Sequence, residues 1–446
     1  MSNATAPTGL TKDKLDAKGG LVVGITLFSM FFGAGNLILA PLMGLLSGVR
    51  TPAALVGFLI SAVGLPVLTI AAIALAGSAR ELANRIDLTF SKVFVALVYL
   101  AIGPFLAIPR TATTSFEMIR PLLGDELPVQ LALFLFSLLF FVVAYFMAMH
   151  PSRLTSLMGK LSGPTLIALV VILLAATFVA PPGSAAGVAS APYDELPLVA
   201  GFVTGYQTMD VLAALAFGIV ISMNVRAMGV DSAEGVARQV MRSGVVAGAC
   251  MAVIYCGFGY LGAVMGSVVP DATNGAEVIS AAASVEFGVA GSVLVAAIFT
   301  LACLNVCIGL ICSIAEYFSV NYSRMGYRRW ALLVTILSCL LSNVGLTAIL
   351  GYSVPLLSAL YPVAIVLVIM GLVQRGGAQA HVPAWRLSVA LCAIGSVAVA
   401  LRDGFAPGVE LPFDLLPLAS MGMGWVLLAL VGFAMGLALE RFRAKK

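Results

Sequence analysis

Twelve long apolar stretches, separated by short joints that carry nearly all the charge, leave this chain few ways to fold. Their approximate spans are 19–46, 53–78, 89–118, 127–149, 154–180, 197–225, 241–268, 287–318, 328–346, 348–373, 384–402 and 419–440. About 20 apolar residues suffice to cross a bilayer as a helix. With no water in the hydrocarbon layer, each crossing must satisfy its backbone N–H and C=O groups internally, which a helix does. The chain is therefore read as an all-α polytopic membrane protein with 12 transmembrane helices. Composition agrees, with 61% hydrophobic and 10% charged residues, against about 25% charged in a soluble domain. Residues 328–373 are divided at Asn343 and Gly345, because a helix of about 45 residues is too long for one crossing.

The basic residues give an orientation. With the N-terminus in the cytoplasm and one crossing per stretch, only Arg50, Arg120 and Arg402 fall outside and Arg110 falls within the membrane. The rest of the 24 Lys and Arg residues, from Lys12, Lys14 and Lys18 to Arg375, Arg386, Lys445 and Lys446, fall on the cytoplasmic side. Such asymmetry is the positive-inside pattern, and a miscounted helix would scramble it. Both termini are thus expected on the cytoplasmic side of the membrane. The acidic loops 181–196 and 270–286 are expected outside.

Two stretches carry residues that a simple membrane anchor would avoid. The first contains Ser29-Met-Phe-Phe-Gly-Ala-Gly-Asn36 at its centre. Each glycine weakens a helix by about 1 kcal/mol relative to alanine, and a buried asparagine amide needs partners. The sixth contains Thr204-Gly-Tyr-Gln-Thr-Met-Asp210. Each of these stretches opens a set of five. Because five is odd, the second set enters the membrane from the opposite side, which makes a 5+5 inverted repeat with discontinuous helices 1 and 6. Broken helices of this kind present N–H groups at one end and C=O groups at the other, and they build substrate sites at the repeat interface. The expected organisation is a cytoplasmic tail (1–18), repeat 1 (19–180), repeat 2 (197–373), two further helices (384–440) and a cytoplasmic tail (441–446).

The third stretch holds Arg110 and Glu117, two turns apart on one face, with Thr111, Thr113, Thr114 and Ser115 between them and Pro104 and Pro109 before them. An intramembrane charge faces protein or a water-filled path. Arg110 and Glu117 therefore read either as a gate or as a buried ion-pair network. Asp210 reads either as a cap on the second half of the sixth stretch or as a substrate contact. Asn305 in the eighth stretch reads either as a cation ligand or as a helix–helix hydrogen bond. Pro355 and Pro362 in the tenth report a kink.

The seven cysteines lie in apolar stretches without a CxxC pair and read as small buried hydrophobes. The polar first eighteen residues contain no cleavable signal peptide. His150 and His381 are the only histidines. No metal-ligand motif or phosphate loop is present, so neither an enzyme nor a nucleotide-driven pump is indicated. The basic loops are explained by topology, and no nucleic-acid partner or obligate protein partner is expected.

The motifs LFSMFFGAGNLILAP (27–41), LAIPRTATTSFE (106–117), TLACLNVCIGLICSIAEYF (300–318), LLSNVGL (340–346) and SVPLLSALYP (353–362) resemble the bacterial branched-chain amino acid:cation symporter family. That resemblance implies the amino acid–polyamine–organocation superfamily and its leucine-transporter-like fold. It also implies uptake of leucine, isoleucine and valine, driven by sodium or protons. By analogy with sodium-coupled members of the fold, the carbonyls of Ser29, Phe32 and Ala302, with the side chain of Asn305, would hold Na+. The amides around Gly33, Ala34, Gly35 and Asn36 would hold the substrate carboxylate. The chain departs from the pattern where a hydroxyl residue is expected: Asn305 offers an oxygen, but Val306 does not. Proton coupling through Glu117 or Asp210 is the alternative.

The expected substrate site therefore places the ammonium near Gly205, Tyr206, Gln207 and Thr208. The aliphatic tail lies among Phe32, Ile108 and Met209, with Thr111 nearby. Arg110, Glu117 and Asp210 are the gating or coupling residues. Other readings are a transporter of the same fold for an aromatic amino acid or nucleobase, and an uncoupled channel or sensor.

Overall fold

The structure is a computed structural model and describes residues 14–123, 127–185, 188–322, 324–374 and 381–444. Lys12, Arg375, Lys445 and Lys446 of the charge pattern lie outside the described residues. The first apolar stretch is two helices, α1 (Ala17–Phe31) and α2 (Ala34–Ser47). Asp16 caps α1 by accepting the Gly19 N–H at 2.8 Å. Between the helices, Phe32 (φ −78°, ψ 90°) and Gly33 (φ −125°, ψ −162°) are extended, which interrupts the helical ladder.

The second stretch comprises α3 (Thr51–Leu59) and α4 (Leu65–Ala76), joined by a π-helical turn at Ile60–Gly64. Short α5 (Ala79–Asn84) follows. The third stretch is also split, into α6 (Leu88–Ile102) and α7 (Ala107–Leu123). Pro104 falls in the gap and Pro109 in the first turn of α7, both places where the missing N–H costs no helical hydrogen bond. Next come α8 (Val129–Ala148), α9 (Leu154–Leu157) and α10 (Gly163–Val179), with a second π-helical turn at Met158–Ser162.

The sixth stretch divides into α11 (Pro197–Tyr206) and α12 (Asp210–Ala227). Between them Met209 is in the left-handed region, φ 69°. The remaining helices are α13 (Ala233–Val264), α14 (Gly275–Phe287), α15 (Val289–Asn321), α16 (Tyr327–Ser342), α17 (Leu346–Val373), α18 (Val382–Phe405) and α19 (Trp425–Ala444). Gly345, φ 95°, makes the turn between α16 and α17. The stretch read as loop 270–286 contains α14, which is packed on α15 and α2.

Ten helical stretches among the described residues are long and apolar enough to cross a membrane. Ala17–Phe31 and Pro197–Tyr206 are shorter apolar helices, as halves of an interrupted crossing have to be. At the centre, α13 packs on α1, α2 and α4, and α15 packs on α7, α1 and α12. Lipid tails are as apolar as leucine, so close backbone approach rather than water exclusion holds such helices together. Helices α3 and α11 show this. A Cβ at Gly57 would lie 1.9 Å from the Leu198 carbonyl oxygen, and one at Gly201 would lie 1.9 Å from that of Ala54. The cysteines are all unpaired. Cys303, Cys307, Cys312 and Cys392 are buried between helices, and Cys256 is exposed within the apolar span of α13.

Candidate functional site

The two breaks meet through Asn36. Its Oδ1 accepts the Gly33 N–H at 3.1 Å, filling one of the donor groups that the start of α2 leaves open. Its Nδ2 donates to Asp210 Oδ2 at 2.7 Å and to the Tyr255 hydroxyl at 2.5 Å. Asn36 and Asp210 are 3% and 2% exposed, so each carboxylate and amide contact counts heavily at that depth. Asp210 does not cap α12. Met209 occupies the capping position and Asp210 is the first helical residue, its carboxylate turned to Asn36 instead. Tyr255, on α13, carries no local sequence signal and was absent from the expected site.

Beside this junction lies a cavity of about 610 Å³, within the size range of small-molecule sites. Of the expected substrate residues, Tyr206, Gln207 and Met209 line it. Its other walls come from α2 (Ile38, Leu39), α7 (Arg110, Thr114), α17 (Leu357, Tyr361) and α18 (Val399). The far end is bounded by Arg402, Asp403 and the turn around Phe413 and Asp414.

Phe32 and Ile108 do not face the cavity. Both are fully buried, and Phe32 stacks between Phe28 and Phe258. Gly33, Ala34, Gly35 and Asn36 sit behind the wall, and Thr111 donates to the Ile108 carbonyl at 2.6 Å. Gly205 packs on the end of α3 and the π-helical turn after it, where a Cβ would meet the Phe58 oxygen at 2.6 Å and Ser61 Cβ at 3.1 Å. Thr208 donates to the Gly205 carbonyl at 2.8 Å.

Arg110 and Glu117 do not form a pair. Arg110 faces the cavity while Glu117 is exposed, and no ion pair joins them among the described residues.

The residues expected around a cation lie away from the cavity. Ser29, Ala302 and Asn305 are buried, and Val306 leans on Gly33: a Cβ there would be 2.8 Å from Val306 Cγ2. Val306 is thus a spacer. A hydroxyl comes from elsewhere, since Ser162 Oγ donates to Asn305 Oδ1 at 2.7 Å. Ser162 ends the π-helical turn, and the neighbouring Gly163 abuts Ser29, with a Cβ position 2.4 Å from Ser29 Oγ. Nδ2 of Asn305 has no partner. An asparagine amide can meet the same partner with either end. Turned over, Nδ2 donates to Ser162 and Oδ1 becomes a free buried acceptor.

The profile of the family described as branched-chain amino acid transport protein matches residues 16–443. The chain belongs to that family. It is 36% identical over 439 residues to the branched-chain amino acid permease BraB of Bacillus subtilis, covering 97% of each chain. It is 37% identical over 432 residues to the branched-chain amino acid transport system 3 carrier protein of Pseudomonas aeruginosa, covering 95% of this chain and 97% of that one. The branched-chain amino acid permease BrnQ of Escherichia coli is 34% identical over 433 residues, covering 96% and 97%. Among solved structures, Mhp1, a nucleobase-cation-symport-1 family transporter, superposes with a TM-score of 0.60 at 15% identity, covering 96% of this chain and 92% of that one. A manganese transporter of Eremococcus coleocola superposes with a TM-score of 0.54 at 14% identity, covering 98% and 99%. At that identity the likeness is one of fold.

Proposed function

We propose that this protein is a secondary active symporter that imports branched-chain amino acids across the bacterial cytoplasmic membrane by alternating access. The observation that carries this reading is the Asn36 junction, where two interrupted helices are joined by one amide beside a cavity with apolar walls. The permeases and carriers to which the chain is similar over nearly its full length supply the substrate class. In this reading the chain crosses twelve times with both termini in the cytoplasm. Residues 19–180 and 197–373 are the inverted repeats, and α18 and α19 lie outside them. The fold shared with other cation-coupled transporters supports that arrangement.

A branched aliphatic tail between Ile38, Leu39, Val203 and Met209 gains roughly 1.5–3 kcal/mol over an exposed one. One methylene alters binding by about 1–3 kcal/mol, so leucine, isoleucine and valine are discriminated modestly. The zwitterionic head lies at the junction, its charges toward the two helix breaks. In this reading the meeting of α6, α15 and α12 closes the cytoplasmic side of the path. Tyr99 stacks on Tyr317 with ring centroids 4.1 Å apart and donates to the Ala216 carbonyl at 3.3 Å, which ties α6, α15 and α12 together.

The coupling ion is Na+ or H+. The oxygens of Ser29, Ser162 and Asn305 and the carbonyls of Phe32 and Ala302 suit Na+, while the buried Asp210 carboxylate suits H+. Purified protein in proteoliposomes, given labelled leucine and either an inward Na+ gradient or an inward pH gradient, tests the proposal. Accumulation above the external concentration under one gradient is expected. Equilibration without accumulation under both gradients would sink it.

A further inference from the structure

In the symporter reading α18 stands outside the two repeats, yet it walls the cavity. Gly395, Ser396, Val399, Arg402 and Asp403 line it. Steps of three and four residues put these side chains on one face of the helix. The opposite face shows Ile394, Val397 and Leu401, exposed as lipid-facing side chains are. The cavity therefore follows α18 from residue 395 to 403, a rise of about 12 Å. At about 610 Å³ it is in the range that takes drug-sized ligands, and a single branched-chain amino acid leaves much of it open.

The far end of the cavity differs from its apolar walls in carrying both signs of charge. Arg402 donates through Nε to Asp403 Oδ1 at 2.8 Å and through Nη1 to Asp414 Oδ1. Asp414 Oδ2 is taken by the Leu411 N–H at 2.7 Å. Two charged groups are left open: among the described residues, neither Nη2 of Arg402 nor Oδ2 of Asp403 has a hydrogen bond. They belong to consecutive residues, one a donor and the other an acceptor. The two side chains are 21% and 49% exposed, so water reaches them. Val399 on the same face of α18, Phe413 from the turn and Trp425 from α19 line the same cavity and give it apolar surface. A molecule that meets all of these has an anionic and a cationic group on one carbon and an apolar tail.

We infer that Arg402 and Asp403 form an entry subsite, which takes the zwitterionic head of an incoming branched-chain amino acid before the molecule moves along α18 to the helix breaks. Nη2 of Arg402 donates to the carboxylate, Oδ2 of Asp403 accepts from the ammonium, and the tail lies on Val399 and Phe413. This rests on the symporter reading, in which α18 ends on the outer side, and adds to it a role for a helix outside the repeats.

The test puts a thiol in this part of the path and measures what protects it. None of the seven native cysteines lines the cavity. In intact cells carrying the full chain, Val399→Cys is expected to react with a charged, membrane-impermeant thiol reagent added outside, and Val397→Cys on the lipid face is not. Excess leucine is expected to slow the reaction. Adding Arg402→Gln is expected to raise the leucine concentration for half-protection roughly 3- to 10-fold, the span for a partly exposed charged contact. Protection by L-leucinol, which has no carboxylate, should not change. Adding Asp403→Asn is expected to weaken leucine by a similar factor and to leave 4-methylpentanoate, which has no ammonium, unchanged. Adding Gly33→Leu at the first helix break is expected to leave leucine protection intact. Resistance of Val399→Cys to the reagent overturns the proposal, as do equal losses for leucine and its one-charge analogue, or protection that disappears with Gly33→Leu. If Arg402→Gln does not fold, Asp403→Asn decides by the same comparison. A chain that fails to accumulate leucine in proteoliposomes yet shows the charge-selective losses overturns symport and leaves the subsite standing. Accumulation with equal losses does the reverse.

Discussion

Asn36 and Asp210 stand 174 positions apart in the chain and share a hydrogen bond of 2.7 Å. Because Asn36 also accepts from Gly33 and donates to Tyr255, the two helix breaks and α13 are tied at one buried point. A displacement of either broken helix must carry the other or give up a hydrogen bond that no water replaces.

Replacing Asn36 therefore has a large effect. Asn36→Ala takes one amide away from the Asp210 carboxylate, the Tyr255 hydroxyl and the Gly33 N–H together, a loss of roughly 2–5 kcal/mol. Thermal denaturation of the purified protein should show the drop, and leucine uptake should vanish. Asn36→Asp sets two carboxylates against each other, and adding Asp210→Asn should restore much of the lost stability. A stable Asn36→Ala variant with normal uptake would remove the junction from the mechanism.

Gly33 and Gly201 separate function from stability. Gly33→Leu is expected to abolish uptake while the protein remains folded in the membrane. Gly33→Ala should be tolerated once Val306→Ala clears the side chain that stands 2.8 Å from the new Cβ. Gly201→Ala instead meets the Ala54 carbonyl oxygen at 1.9 Å. Backbone cannot step aside as a valine can, so this variant should lose thermal stability and yield. The measurements are detergent-solubilised melting and uptake per folded molecule.

If Na+ is the coupling ion, Ser162→Ala should raise the Na+ concentration needed for half-maximal leucine uptake by roughly tenfold, the loss of one oxygen contact to a charged group. Asn305→Leu should do at least as much. An unaltered Na+ dependence in both variants would take this cluster out of the cation path.

The turn that bounds the outer end of the cavity is fastened by acid. Asp414 accepts the Leu411 N–H at 2.7 Å and pairs with Arg402, which itself pairs with Asp403. The Leu411 amide first, and Arg402 second, hold the Asp414 carboxyl below its ordinary value of 3.8. A depressed native value stabilises the folded arrangement above the ordinary value, and the effect fades as pH falls through the native one. The fastening is thus whole at neutral pH and fails only in strong acid. Asp414→Asn should reproduce that loosening at pH 7, seen as faster hydrogen exchange over residues 406–424. Exchange identical to the wild type would show that the turn is held by other contacts.

Much of this molecule was legible along the chain, because a membrane makes local violations costly. Glycines and an asparagine at mid-span mark residues 33–36, and the polar run at 204–210 marks the second interruption; the structure breaks the helices at 32–33 and 207–209. Pro104 and Gly345 likewise stand where helices end. Each of these is a property of one segment and its solvent.

What the chain alone left undecided was which groups meet. Arg110 and Glu117 share a face by helical spacing, yet one looks into a cavity and the other outward, because neighbouring helices cover only part of that face. Thr114 has the same local options as Thr111 and Ser115, yet its buried hydroxyl meets no acceptor among the described residues. Tyr255 and Ser162 reach Asn36 and Asn305 from helices far off in sequence. Helical period and residue cost are carried by a single stretch of chain, but a hydrogen bond needs two atoms within about 3 Å, and only the packed arrangement of all the helices sets that distance.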